Sequence, residues 1–419
     1  MKVLLSNPPW FLDGGKKWGI RAGSRWPFTT PPAYGYLPFP FLLAYATSYL
    51  RKQGIQAHLV DSILTRESID SYMERIRHFA FDYVVIETST PSIENDLAIA
   101  REVAQHTKVI LTGPHATIFA DELMAQHDFI WGIAKGEYEK NLLRMLMEGK
   151  GGIYDYELTE DLMDLPWPYR DSTIYRYEDR FPNSPAGPIL QIHGSRGCPF
   201  NCIFCLWPPV MYRGNKYRPR QADDILAEIV ECFRSFPKLT SVYFDDDTFN
   251  IGKERILAIC AGMKQLGIPW SAMCRADTSD LETFRAMADS GCYAVKFGIE
   301  SGCQQLVDKC QKNLDLTKVE ESVKFLKSLG VFVHVTYTWG LPGETEETIR
   351  MTQEFNRRLQ PNSAQQSFCT PFPGTPFYTM LKRAGELNMT GWREFDGASG
   401  SIMGGSDLPP ERLKELAKL

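Results

Sequence analysis

Two successive runs of alternating apolar strands and amphipathic helices restrict the folds open to this 419-residue chain. The first run extends to about residue 150. Its strand signals lie at 3–6, 57–61, 83–87, 109–112 and 129–133, and its helix signals at 41–52, 68–79, 94–105, 119–126 and 137–147. The strands are continuously apolar, as is typical of strands buried on both faces. The pattern predicts an α/β domain with a doubly wound, Rossmann-like parallel sheet.

The second run follows a segment, residues 151–187, that is rich in Asp, Glu, Pro and Tyr and is interpreted as a linker with anchoring aromatics. Its strand signals lie at 189–192, 241–244, 270–273, 294–298, 332–338 and 364–369, with a helix signal between each pair. Six such units predict a partial (β/α)6 TIM-type barrel. The predicted division is therefore 1–150, the linker 151–187, a barrel core 188–375 and a short helical C-terminal extension 376–419.

Three cysteines stand close together after the first barrel strand. Cys198, Cys202 and Cys205 have the spacing C-x3-C-x2-C, which would also place three thiols on one face of a helix. Gly197 and Pro199 are poor helix formers, and the Pro208-Pro209 pair blocks continuation of a helix. The segment is therefore predicted to be a tight loop that presents three thiols inward.

Thiolates gathered on a loop bind soft metals, and the usual choices are zinc or an iron–sulfur cluster. A closed structural zinc site uses four ligands, typically in two C-x2-C pairs, and no second pair lies nearby in this sequence. Three ligands imply an open coordination position.

Composition narrows the partners and the compartment. The 46 basic and 51 acidic residues give a net charge of -5 without a long run of either sign, so neither nucleic acid nor an anionic membrane is indicated. We find no signal peptide and no apolar window long enough for a membrane span. Seven further cysteines are scattered singly and predict a reducing cytoplasm rather than a disulfide framework. They are Cys232, Cys260, Cys274, Cys292, Cys303, Cys310 and Cys369.

Small and polar residues follow the strands of the first domain, where such sheets bind their ligands. No G-x-G-x-x-G follows the first strand, so a nicotinamide or flavin dinucleotide is weakly supported. About thirty residues separate this strand from its helix, where two to six would be typical. We interpret this aromatic loop as a lid over cofactor or substrate, with packing against the next domain as the alternative. Its marked residues are Trp10, Phe11, Trp18, Arg21, Arg25, Trp26, Phe28, Tyr34 and Tyr36.

The cysteine motif resembles that of the radical SAM superfamily. There, three cysteines hold a 4Fe-4S cluster whose fourth iron is left to S-adenosyl-L-methionine (SAM), and the backbone of an aromatic residue like Phe204 contacts the adenine. The resemblance extends over the barrel and implies further SAM contacts at strand ends, for which a solvated loop cap is the alternative in the aspartate run. The implied SAM contacts are Phe204, Asp245, Asp246, Arg275, Glu300, Ser301, Gly340 and Gly343.

The first domain resembles the cobalamin-binding domain of class B radical SAM enzymes. The matching features are Asn7-Pro8-Pro9, Gly23-Ser24-Arg25-Trp26-Pro27, Gly113-Pro114-His115-Ala116-Thr117 and Gly136-Glu137-Tyr138-Glu139. The D-x-H-x-x-G motif is missing, so cobalt would have no motif-defined protein ligand; for His115 we expect a contact to a corrin amide, with an ordinary surface histidine as the alternative. The implied cobalamin contacts are Pro8, Ser62, Thr88, Ser89, Thr112, Gly113, His115, Gly136 and Glu137.

These resemblances imply a cobalamin-dependent radical SAM methyltransferase that acts through a 5′-deoxyadenosyl radical on an unactivated carbon of a small metabolite, lipid or natural-product intermediate. A non-methylating rearrangement, cyclisation or carbon–carbon bond formation is the alternative. The run Cys205-Leu206-Trp207-Pro208 is similar to the hopanoid- and bacteriochlorophyll-associated branch and makes a lipid or tetrapyrrole substrate worth testing. An external reductant such as flavodoxin or ferredoxin is implied.

Two readings from other classes compete with this one. A tRNA- or protein-modifying enzyme would predict a basic RNA-binding appendage, which the acidic balance opposes. A non-enzymatic iron–sulfur or zinc module would leave the later strand-end motifs without a purpose. Tyr212 and Tyr217 are candidates for delivering a final hydrogen or proton by position alone.

Overall fold

A computed structural model of the chain describes residues 1–15, 17–19, 36–397 and 406–419. Two six-stranded sheets dominate these residues, and every strand pair within the two sheets is parallel. The first sheet has the order β2-β1-β3-β4-β5-β6, which reverses direction at β1. Its strands are β1 Lys2–Asn7, β2 Gln56–Asp61, β3 Tyr83–Glu87, β4 Lys108–Thr112, β5 Ile130–Ala134 and β6 Gly152–Tyr154.

Helices cover both faces of the first sheet. They are α1 Phe41–Lys52, α2 Ser62–Thr65, α3 Ile69–Phe79, α4 Ile93–Val103, α5 Pro114–Ile118, α6 Ala120–Gln126 and α7 Glu139–Glu148. Successive side chains of a strand point to opposite faces, so Leu5 packs in the core under α1 and α7 while Leu4 packs with α3 and α4. This two-sided burial explains the continuous apolar runs and confirms the predicted doubly wound parallel sheet.

Strand β6 lies within the segment that the sequence predicts to be a linker. It pairs with β5 through Gly132 and Gly152, Ile133 and Ile153, and Ala134 and Tyr154. A three-residue strand that begins at the second glycine of the Gly151-Gly152 pair gives no strand periodicity, so the sequence pattern could not reveal it. The first sheet therefore continues past residue 150, and the division into domains stays a prediction.

The second sheet is the open barrel that the sequence predicts. Its strands follow one another in sequence order, and β7 and β12 each have one neighbour in the sheet. The strands are β7 Ile189–Ile192, β8 Ser241–Phe244, β9 Trp270–Cys274, β10 Cys292–Glu300, β11 Phe332–Trp339 and β12 Ser363–Phe368. The helices are α8 Trp207–Val210, α9 Ala222–Ser235, α10 Lys253–Leu266, α11 Leu281–Asp289, α12 Gln304–Lys309, α13 Leu316–Ser328, α14 Glu346–Leu359, α15 Pro376–Ala384 and α16 Pro410–Leu416.

One hydrophobic cluster joins the first sheet to the segment after the cysteine loop and to the C-terminal segment. Ile110 of the first sheet belongs to the same buried cluster as Trp207 and Val210, which follow the cysteine loop, and as Phe372 and Phe395 from the C-terminal segment. The carboxyl-terminal edge of the first sheet and the segment after the cysteine loop are therefore packed against each other.

The described ends of the long aromatic loop are folded rather than extended. Phe11–Leu12 pairs antiparallel with Lys17–Trp18, and Trp10 is buried with Ile63 beyond the end of β2. The predicted lid residues Arg21, Arg25, Trp26, Phe28 and Tyr34 lie outside the described residues. Among the helices that the structure describes, none has the length and apolar character that crossing a membrane requires.

Candidate cofactor site

The cysteine loop is shaped by two aspartates at the end of β8. Residues 197–206 are not helical, as predicted, and the two prolines start the short helix α8, where a proline at the first turn is tolerated. Asp246 is fully buried and accepts hydrogen bonds from the Gly194 amide at 3.0 Å and from the Ser195 hydroxyl. Asp247 accepts from the Gly197 amide at 3.0 Å. These contacts fix the backbone that leads into Cys198, a structural role different from the SAM contact predicted for Asp246.

The three thiols are half-buried and close enough to influence one another. Burial raises the pKa of all three, and neighbouring thiols of the set raise the pKa of Cys202 and Cys205 further. The Cys198 sulfur lies 3.5 Å from the Thr248 hydroxyl. Within the described ranges, no three His, Cys, Asp or Glu side chains converge as ligands of one metal ion. Three thiols on one loop fit the thiolate donor set of an iron–sulfur cluster.

Arg275 supports the cysteine loop from β9. Its guanidinium lies 3.7 Å from the ring centre of Phe200 and donates to Asp277 and to the Asn313 carbonyl. Stacking of this kind favours a fixed ring position. The carboxylate of Asp277 accepts hydrogen bonds from two guanidinium nitrogens and so holds Arg275 in place. Arg275 in turn contacts the cysteine loop at Phe200.

A carboxylate–ammonium pair lies beside the cysteines. Glu300 has a positive φ of 70° at the end of β10, and its two oxygens accept from Lys312 at 2.8 Å and from Thr338 at 2.7 Å. Lys312 is the group that most lowers the pKa of Cys202 against the dominant effect of burial. A strained backbone of this kind often marks a functional site. Lys312 was not predicted because it lies on an irregular turn that matches no motif.

The remaining predicted SAM residues have different surroundings. Ser301 is buried and its hydroxyl bonds Thr352 of α14 at 3.0 Å, so it stabilises the barrel wall. Asp245 is 9% exposed, and the half-buried Phe204 packs beside Leu341. Gly340 and Gly343 have φ values of 83° and 79°, which favour glycine.

Close to these glycines lies a buried acid that the sequence analysis did not single out. Glu344 accepts from the Gly340 amide at 2.5 Å, while its other oxygen has no partner among the described residues. Burial raises its pKa to about 7.

The carboxyl-terminal rim of the first sheet is a connected network of hydroxyl and backbone groups. Thr88 donates to the Thr112 carbonyl at 2.7 Å, and Thr112 donates to the Ala134 carbonyl at 2.9 Å. The Gly136 amide donates to Thr117 at 3.0 Å. Gly113 has φ 89° and ψ 178°, and a Cβ there would lie 2.3 Å from the Thr88 carbonyl oxygen. Only glycine allows this close approach.

Two polar side chains at this rim have buried atoms without a partner in the described part of the chain. His115 is 3% exposed within α5, and its Nδ1 has no hydrogen bond. Asn7, at the end of β1, is 2% exposed, and its Oδ1 is likewise unbonded. Burial lowers the pKa of His115 to about 3, so its ring is neutral. The alternative of a surface histidine is wrong, and both groups fit amide-bearing ligands such as a corrin.

The other predicted cobalamin residues are engaged within the protein. Ser62 donates to Glu67 at 2.8 Å, Ser89 bonds Ser92 at 2.8 Å, and Pro8 is buried after β1. Glu137 is 1% exposed and receives two hydrogen bonds from Arg218, at 2.6 and 2.8 Å. Such a bidentate pair indicates a structural carboxylate rather than a cofactor contact.

The two tyrosines proposed by position differ in their surroundings. Tyr212 is 4% exposed in the hydrophobic cluster between the first sheet and the segment after the cysteine loop, and burial raises its pKa well above 10. Tyr217 is half-buried and accepts from Arg255 at 3.2 Å. Burial raises its pKa to about 12, and Asp246 and Cys198 are among the groups that act on it. Of the two, Tyr217 lies beside the cysteine loop.

Tight packing brings helix α5 of the first domain and helix α8, which follows the cysteine loop, into contact. A Cβ on Gly374 would lie 2.5 Å from Ile118 of α5 and 2.6 Å from Val210 of α8. Trp392 contacts His115 with ring centres 5.0 Å apart. The helices that follow the cysteine loop and the predicted cobalamin rim are therefore close neighbours.

Comparison with known proteins agrees with this arrangement. Residues 192–355 match the Radical SAM superfamily, and the chain contains a radical SAM domain. It is 26% identical to an uncharacterized methyltransferase, PH0819, of Pyrococcus horikoshii, over 94% of this chain and 86% of that protein. It is 25% identical to the anaerobic magnesium-protoporphyrin IX monomethyl ester cyclase of Cereibacter sphaeroides, over 91% of this chain but only 64% of the cyclase.

A solved structure shares the fold. The radical SAM methyltransferase TsrM from Kitasatospora setae, with cobalamin and a 4Fe-4S cluster bound, matches with a TM-score of 0.69 at 16% identity. The match covers 92% of this chain and 75% of TsrM. It supports the two-sheet architecture described above.

Proposed function

We propose that this chain is a cobalamin-dependent radical SAM enzyme that transfers a methyl group to an unactivated carbon. One observation carries the proposal: helix α8, which follows the loop with three thiols, and helix α5, which follows the rim at β4, pack against each other across Gly374. An enzyme that uses two cofactors in one reaction needs their sites to face one another. The radical SAM domain and the methyltransferase relative support the same conclusion.

The residues would divide among three cofactors. Cys198, Cys202 and Cys205 would hold the 4Fe-4S cluster, since thiolates suit iron. Glu300 and Lys312 offer opposite charges to the amine and carboxylate of SAM, and the glycines at 340 and 343 open the backbone to its adenine. The rim from Thr88 to Gly136 would hold cobalamin. When bound, these groups would supply a 5′-deoxyadenosyl radical and a transferable methyl group.

The chain's own residues would orient these groups and exclude water. Trp207, Tyr212 and Phe395 belong to the hydrophobic cluster between the first sheet and the segment after the cysteine loop, and water is a competitor of radical chemistry. Lys312 lowers the cost of thiolate formation at Cys202. Arg275 and Asp246 would hold the loop in place through Phe200 and Gly194.

For the substrate we propose a small metabolite, lipid or tetrapyrrole-like molecule, with an external flavodoxin or ferredoxin as reductant. The similarity to the magnesium-protoporphyrin ester cyclase along 91% of the chain favours one alternative, a cyclisation or other bond formation with the same cofactors. The mass of the product separates the two, because a methyl transfer adds one CH2 and a cyclisation does not.

The test begins with protein produced anaerobically in the presence of hydroxocobalamin. We expect about one cobalamin and four iron atoms per chain, and 5′-deoxyadenosine when SAM and dithionite are added. With candidate substrates and SAM labelled in its methyl group, the label should appear in the product. Protein that takes up no cobalamin under these conditions, yet forms 5′-deoxyadenosine, would refute the cobalamin part of the proposal. Protein that forms none would refute the whole proposal.

A further inference from the structure

Two buried arginines flank the cysteine loop in a way that the proposed function does not use. Ser195–Arg196 and Arg218–Pro219 pair antiparallel and close the loop, with Arg196 directly opposite Arg218. Their side chains are 2% and 3% exposed. Like charges opposite each other in buried positions repel unless carboxylates lie between them.

The compensating carboxylates come from the first domain. Glu137 accepts hydrogen bonds from both terminal guanidinium nitrogens of Arg218, and its carboxylate lies 3.2 Å from the guanidinium of Arg196. Glu139 accepts a hydrogen bond from Arg196 at 2.6 Å. Both are 1% exposed. Burial opposes ionisation of Glu137, but Arg196 and Arg218 hold its pKa below the usual range. We call these four residues the charge cluster; it has two positive and two negative groups and connects the two domains.

The carboxylates also belong to the rim. Gly136, next to Glu137, donates to Thr117, and a Cβ on Gly136 would lie 3.0 Å from the Met211 carbonyl oxygen of the segment after the cysteine loop. Tyr138, between the two carboxylates, donates to Glu87 at the end of β3 at 3.3 Å. Movement of the strand pair at Arg196 and Arg218 relative to the rim would therefore break the ion pairs with Glu137 and Glu139 and disturb the hydrogen bonds that hold these carboxylates to the rim.

We propose that Glu137 and Glu139 are positioning residues that fix the cysteine loop to the carboxyl-terminal rim of the first sheet. The inference rests on the proposed function, because it gives the charge cluster the task of setting the distance between the two cofactor sites. Arg196 precedes Cys198 by only two residues. A shift of the Arg196–Arg218 strand pair would therefore move Cys198 with it, because at most about two residue lengths of chain separate them. A carboxylate shared by two arginines resists such a shift because the fork geometry allows few arrangements.

The test uses a charge cycle on anaerobically reconstituted holoenzyme. Glu139→Gln leaves one net positive charge in the cluster, Arg196→Gln leaves one negative charge, and the double variant restores the balance with a pair of amides. Two readouts are taken: the EPR spectrum of the reduced cluster with SAM bound, and the ratio of 5′-deoxyadenosine to methylated product. We expect each single variant to alter the spectrum and raise the ratio several-fold, and the double variant to bring both back toward the wild type.

The matched control is Glu282→Gln, which removes one carboxylate from an exposed pair with Lys253 on the barrel surface. It should leave both readouts unchanged. Unaltered spectra in both folded single variants, or a double variant no closer to the wild type than the singles, would overturn the inference. If Glu139→Gln does not fold, the comparison of Arg196→Gln with the double variant decides.

A failure of the proposed function can be told apart from a failure of the positioning role. The EPR spectrum is recorded without cobalamin turnover or substrate, so it reports the position of the loop even if no methylated product forms. A normal charge-cycle response without methyl transfer would reject the methyltransferase proposal and keep the positioning role.

Discussion

Replacing Gly113 with alanine should disrupt the rim of the first sheet, and the structure allows its cost to be worked out. The backbone at φ 89° and ψ 178° is used almost only by glycine, which costs another residue about 1–3 kcal/mol. The added Cβ would lie 2.3 Å from the oxygen and 2.9 Å from the nitrogen of Thr88, both backbone atoms. Such overpacking costs about 1–3 kcal/mol more. The variant should therefore lose about 2–6 kcal/mol of unfolding free energy.

The matched control is Gly149→Ala at the end of α7. Gly149 also has a positive φ, 62°, but a Cβ there meets nothing within 4 Å, so only a backbone cost of about 1 kcal/mol is expected. The unfolding free energy of both variants is measured by urea titration. Their cobalamin affinity is measured by absorbance titration. We expect only Gly113→Ala to weaken cobalamin binding, by more than about tenfold. Equal stabilities of the two variants, or unchanged cobalamin affinity of Gly113→Ala, would refute the reasoning.

Three further predictions concern the barrel. Cys202→Ala should abolish the visible absorption of the cluster and 5′-deoxyadenosine formation, whereas Cys232→Ala, at a buried cysteine of α9, should retain both. Glu300→Gln should weaken SAM binding by about tenfold or more in equilibrium dialysis, because it removes the charge that pairs with Lys312. Burial raises the pKa of Glu344 from 4.5 to about 7, so its stabilising contribution is complete below pH 4.5 and is lost as the pH rises through 7. Glu344→Gln should remove about 3 kcal/mol of this pH dependence in urea unfolding.

The sequence predicts the fold well because most strands of both sheets are apolar runs that alternate with helices, such as Tyr83–Glu87 and Ser241–Phe244, and this pattern has few solutions. The first sheet's missed strand, Gly152–Tyr154, is an edge of three residues whose position depends on pairing with β5. Periodicity cannot reveal such an element. The helix Pro114–Ile118 has only five residues, too few for periodicity to predict it.

The candidate site could be predicted at the level of its loops but not of its bonds. The resemblance and strand-end position predict Glu300 and Gly113 as site residues, but they could not tell that the Ser301 hydroxyl bonds Thr352. The resemblance implies a cobalamin contact for Glu137, and only the fold reveals the two arginines that pair with its carboxylate. Lys312 enters the site from a turn distant in sequence, which no spacing rule covers.

The packing of Phe395 and Phe372 against the first sheet has a consequence for biosynthesis. The ribosome releases the first sheet long before residues 372–395, so Ile110 and its neighbours must wait for most of the chain before their apolar cover arrives. A nascent chain halted within the barrel would expose this edge to chaperones and to other nascent chains. The packing of the first domain is therefore completed only after the barrel strands have been made, although its own strands are made before them.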